Sequence, residues 1–71
     1  MIPANAIVDV ERDPAPGRLG HFRVEVWGRD EPYDYVRRYS IQAKSDTLAA
    51  QEALQKFSDE IERLLAGDEE G

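Results

Sequence analysis

Residues 39–57 read Tyr39-Ser40-Ile41-Gln42-Ala43-Lys44-Ser45-Asp46-Thr47-Leu48-Ala49-Ala50-Gln51-Glu52-Ala53-Leu54-Gln55-Lys56-Phe57, and the spacing of apolar positions changes inside this stretch. Up to Ala43 they alternate, with Tyr39, Ile41 and Ala43 on one parity and Ser40 and Gln42 on the other. Further on they recur as Ala50, Leu54, Phe57, Ile61 and Leu64, steps of 4, 3, 4 and 3, widened by Ala53 and Leu65. A period of two belongs to a strand with one buried face, and steps of three and four to one side of a helix. Lys44 therefore marks the passage from sheet to helix.

Towards the C-terminus, Ser45 or Asp46 can cap the helix by accepting a backbone N–H bond. Gly67 lies where a left-handed terminating residue is expected. A helix from about 46 to 66 is roughly 30 Å long, the length of a nine-residue strand. The tail Asp68-Glu69-Glu70-Gly71 puts acids at the negative end of the helix dipole and is expected to fray.

Towards the N-terminus, two more alternating runs appear. Ala6, Val8 and Val10 alternate with Asp9 and Glu11 on the other parity, and Phe22, Val24 and Val26 alternate with Arg23 and Glu25. The third run carries Tyr33, Tyr35, Arg37, Tyr39, Ile41 and Ala43 on one parity, and its β-branched and aromatic content reads as strand. Arg37 conflicts with that parity and calls for a bulge or an arginine lying along the sheet rim. Asp13-Pro14-Ala15-Pro16-Gly17-Arg18-Leu19-Gly20 and Gly28-Arg29-Asp30-Glu31-Pro32 are the breaker-rich connections. Both are short enough for antiparallel neighbours, and both exceed a tight hairpin, so their tips are expected to be mobile.

These elements predict an α+β fold: a three-stranded antiparallel β-meander followed by one long C-terminal α-helix packed on one face (βββα). Residues 1–67 form a single domain and 68–71 a frayed acidic tail. The expected core is Ala6, Val8, Val10, Phe22, Val24, Val26, Tyr39, Ile41, Ala50, Leu54, Phe57, Ile61 and Leu64.

Composition narrows the function. The chain has 71 residues, no cysteine, one histidine and a net charge of -6. A chain this short buries only about 60% of its unfolded surface, so it has no room for a walled substrate cleft, and small domains without metals or disulfides sometimes resolve this by self-association. Without cysteine there is no disulfide, thiolate nucleophile or thiolate metal site. His21 has the parity opposite to Phe22 and no paired acid or serine in the pattern, which fits a solvated side chain better than a catalytic one. No phosphate loop, zinc spacing or dinucleotide fingerprint is present, and no cofactor is expected. The chain therefore reads as a non-enzyme. The first residues lack a signal-peptide pattern, and no apolar run is long enough to cross a membrane, so a cytoplasmic location is expected. Arginine outnumbers lysine seven to two, which the codon bias of a GC-rich genome (bacterial or phage-like) accounts for.

The charge is uneven: residues 1–44 sum to zero and residues 45–71 carry the whole -6. Tyr33, Tyr35 and Tyr39 interleave with Arg37 and Arg38 as in single-strand nucleic-acid binders. Asp30, Glu31 and Asp34 crowd the same hairpin, and the acidic balance argues against direct nucleic-acid binding. One helix covers one side of the sheet. The other side carries Ile7, Asp9, Glu11, Arg23, Glu25, Trp27, Val36, Arg38, Ser40 and Gln42. Trp27, Ile7 and Val36 are out of place on a solvated face. Either Trp27 packs locally at a strand end, or it anchors a partner-binding patch with Ile7, Arg23, Val36 and Arg38. The chain is thus expected to be a protein-interaction module, self-associating (a homodimer) through the open sheet face or edge strands. The alternative is an acidic inhibitor or nucleic-acid mimic that occupies a basic site through Asp59, Glu62, Glu69 and Glu70. Against this, Glu52–Lys56 and Asp59–Arg63 have the spacing of ordinary helix-surface pairs, and Glu60 can reach Lys56 or Arg63.

Overall fold

The computed structural model describes residues 2–67. Three strands, β1 (Ala4–Arg12), β2 (Gly20–Gly28) and β3 (Val36–Ala43), precede one helix, α1 (Asp46–Leu65). The strands form one antiparallel sheet in the order β1-β2-β3, and α1 packs on one side of it. This is the expected α+β βββα arrangement. Alternation sets the register: Val8, Val24 and Tyr39 lie side by side, as do Val10, Phe22 and Ile41.

Ser45 is the N-cap of α1, its hydroxyl accepting from the Leu48 N–H at 3.2 Å. Ala66 closes the other end, and Gly67 follows in the left-handed region at φ 70°. The tail 68–71, expected to fray, lies outside the described residues.

Phe22, Val24, Val26, Ile41 and Ala43 bury their side chains against Ala49, Ala53, Phe57 and Ile61. Ile2 joins them, its N–H donating to the buried Ser58 Oγ at 3.3 Å. The buried line of α1 steps by four through Ala49, Ala53, Phe57 and Ile61. Ala6, Val8, Tyr39 and Leu54 are half-buried and packed against this core.

Three expected core residues are not in it, and the first, Ala50, is half-buried beside the line that Ala49 and Ala53 occupy instead. Leu64 is 49% exposed because it lies in the last turn of α1, where Leu65 is 40% exposed as well, and it lines a shallow hollow with Arg37 and Glu60. Val10 is 50% exposed, sitting on an edge strand at the last position before a bulge.

The third strand is shorter than expected, starting at Val36 rather than Tyr33. The chain curls back over Gly28, whose N–H donates to the Tyr35 carbonyl at 3.1 Å. Tyr33 donates to the Asp30 carbonyl at 2.7 Å and Tyr35 to the Tyr33 carbonyl at 2.8 Å, so their backbone bonds go to a turn. A Cβ at Gly28 would lie 1.7 Å from the Tyr33 carbonyl oxygen, so only glycine fits there. Arg37 needs no bulge, since β2 and β3 pair without interruption. It lies on the edge strand and reaches α1. The bulge is in β1 instead, between Val10 and Arg12. In the first connection, Ala15 and Arg18 exchange backbone bonds of 3.1 and 2.9 Å around Pro16-Gly17. Gly17 has φ 76°, the residue pattern of a type II turn.

Candidate interaction surface

The side of the sheet away from α1 is ordered in rows across the strands. Asn5, Trp27 and Val36 make the first row, Ile7, Glu25 and Arg38 the second, and Asp9, Arg23 and Ser40 the third. Trp27, Ile7, Val36, Arg23 and Arg38 therefore share this face, as parity predicts. Trp27 is half-buried, while Ile7 and Val36 are 52% and 49% exposed. Ile7 is diagonal to Trp27 and Val36 is directly beside it, a spacing within reach of an aromatic ring. The three form an apolar corner on central and edge strands.

Both arginines of the patch are ion-paired. Arg23 pairs with Glu11 at 2.5 Å and Arg38 with Glu25 at 3.1 Å. Each guanidinium is already matched by a carboxylate on a neighbouring strand. Such exposed pairs add little stability, but they remove the positive field that a phosphate backbone would seek. His21 lies between Arg12 and Gln42 in register, with no acid directly opposite it.

The acidic helix surface is more dispersed. Asp59 and Glu62 are exposed, and Asp59 accepts from Gln55 Nε2 at 3.0 Å. Glu69 and Glu70 lie outside the described residues.

Two features were missed in the sequence. First, Glu60 sends its carboxylate to the sheet, accepting from Arg37 Nε at 2.6 Å and from the Tyr39 hydroxyl at 2.8 Å. The Arg37 bond, and then the Tyr39 bond, hold the Glu60 carboxyl below the usual carboxylate range. Burial, and then the bond to Glu60, push the Tyr39 phenol up. Arg37 also donates through Nη1 to the Val36 carbonyl at 3.0 Å and stands 5.6 Å from the Tyr35 ring centre. Second, β1 contains Ala4, Ala6, Ile7, Val8 and Val10, yet none of its residues is buried. The available signal was strand order, which leaves β1 at an edge. An open hollow of about 660 Å³ lies at the first connection, lined by residues 14–19 and Lys44.

Among the described residues no helix is long and apolar enough to cross a membrane, and no group of three or more histidine, aspartate or glutamate side chains gathers to hold a metal ion. Compared with protein families, curated proteins and solved structures, the chain matches none.

Proposed function

We propose that this chain is a small intracellular protein-interaction module that joins copies of itself through the open sheet face or edge strands. One observation carries the reading: Trp27, Ile7 and Val36 form a contiguous, partly exposed apolar corner on a sheet face that no element among the described residues covers. Aromatic anchors in such patches dominate interface energies, and surrounding matched charges act as a rim. The ion-paired arginines and the net charge of -6 favour protein over nucleic acid as the partner, with no catalytic step and no cofactor.

Sedimentation velocity on the unaltered chain, Trp27→Ala and Glu62→Lys tests this at low and high salt. Trp27→Ala is expected to weaken self-association roughly 30-fold, the effect of a ~2 kcal/mol hot spot. Glu62→Lys and added salt should change little. If Glu62→Lys and salt abolish association while Trp27→Ala leaves it intact, the acidic helix surface is the contact and the sheet face is not.

A further inference from the structure

The direction of the unpaired backbone groups says more about how two copies meet. Gly28 donates its N–H to Tyr35 on the β3 side, and Arg29 donates to the Pro3 carbonyl on the β1 side. Antiparallel ladders alternate in this way, so Trp27, Glu25 and Arg23 point their backbone groups at β1. Their partners Asn5, Ile7 and Asp9 are thereby satisfied, and Ala4, Ala6, Val8 and Val10 turn N–H and C=O outward. The bulge beyond Val10 ends this pairable stretch.

We infer that two copies join edge to edge through β1, antiparallel, in the register that sets Ile7 of one copy against Ile7 of the other. This rests on the proposal above that the chain binds itself. The occupant is a second copy because β1 is complementary to itself in this register alone. Ala4 then faces Val10 and Ala6 faces Val8, forming about eight main-chain hydrogen bonds, two for each hydrogen-bonded pair. Between them Ile7 meets Ile7 and Asn5 meets Asp9, an amide against a carboxylate. A slide by two residues one way places Ile7 against Asp9, and by four residues places Asp9 against Asp9, where like charges repel. A slide by two residues the other way leaves Val10 unpaired. A slide by one sets outward groups against satisfied ones.

Packing on both faces agrees with this edge. A twofold axis perpendicular to the sheet keeps both open faces on one side, so the Trp27 and Ile7 corners of the two copies merge into one apolar strip. On the helix side, half-exposed Val10 and half-buried Ala6 and Val8 gain neighbours. The β3 edge is better guarded, because Arg37 already donates to the outward Val36 carbonyl and Ile41 and Ala43 are already buried.

Ile7→Cys tests the register directly, since the chain has no other cysteine. Facing residues of a non-hydrogen-bonded pair have Cα atoms about 4.5 Å apart, within disulfide range. Mild oxidation should convert Ile7→Cys almost wholly to a covalent dimer and leave Val36→Cys largely monomeric. Ala6→Pro deletes an outward N–H and should abolish the dimer while circular dichroism stays unchanged. Ser40→Pro, the matching change on β3, should leave the dimer intact. Efficient cross-linking of Val36→Cys but not Ile7→Cys, or loss of the dimer in Ser40→Pro but not Ala6→Pro, overturns the β1 assignment. Should the dimer form and depend on Trp27 yet ignore both β1 variants, the edge inference falls and the sheet-face proposal stands. An unaltered chain that stays monomeric at every concentration overturns both.

Discussion

Phe57 and Leu64 stand seven residues apart on α1 and share one helical stripe in the sequence, but the fold treats them differently. Phe57 is 0% exposed and Leu64 is 49% exposed. Phe57→Ala removes a ring enclosed by both sheet and helix, which costs about 3–5 kcal/mol in a core that cannot collapse around the gap. Leu64→Ala removes a side chain that already keeps half its surface in water and leaves no enclosed cavity, so the cost is about 1 kcal/mol or less. A 71-residue domain has roughly 4–11 kcal/mol in total at ~0.05–0.15 kcal/mol per residue. Phe57→Ala therefore removes from about a quarter to all of it. Urea unfolding followed by circular dichroism, at one fixed protein concentration, reads the difference. With a slope of about 1 kcal/mol per molar urea, Phe57→Ala should lower the midpoint by ~3 M or abolish the transition. Leu64→Ala should lower it by less than ~1 M. Equal losses, or a larger loss from Leu64→Ala, would show that the buried line of α1 is drawn in the wrong place.

Gly28→Ala forces a Cβ into the Tyr33 carbonyl, a backbone group that cannot swing aside. It should cost about 2–4 kcal/mol by the same urea assay, whereas Gly17→Ala, with open space around its Cβ, should cost only ~1–2 kcal/mol for its left-handed backbone. The reverse order would contradict the turn described over Gly28. Glu60 has a depressed carboxyl pKa in the folded chain, so its contribution is complete above the ordinary carboxylate value and disappears as pH falls through the folded value. Its side chain is 44% exposed, so solvent screening keeps the contribution below about 1 kcal/mol. The stability gap between the unaltered chain and Glu60→Gln should shrink on acidification; a gap that widens towards low pH would rule out this assignment.

Much of the fold could be read from residue spacing. Phe22, Val24 and Val26 alternate cleanly because β2 is central and packed on one face only, and Ser45 and Gly67 mark helix ends through backbone chemistry that any context would respect. Spacing fails where distance or cover decides. Parity assigns Val10 to the helix side but cannot say how far α1 extends over β1. Helical steps of three and four admit a stripe through Ala50 and Leu64 as readily as one through Ala49 and Ala53, and the fold buries the second. Tyr33 and Tyr35 have strand-forming side chains, but their backbone bonds are taken by the turn above Gly28. Arg37 violates alternation because its partner, Glu60, lies 23 residues away on another element. The candidate surface divides similarly: parity places Trp27, Ile7 and Val36 together, whereas the neutralisation of Arg23 and Arg38 depends on cross-strand register.

Sedimentation equilibrium of the unaltered chain, from low micromolar to several hundred micromolar, bears most directly on the central claim. A mass rising towards twice 8.1 kDa with concentration is the predicted result. A constant 8.1 kDa across that range would contradict it.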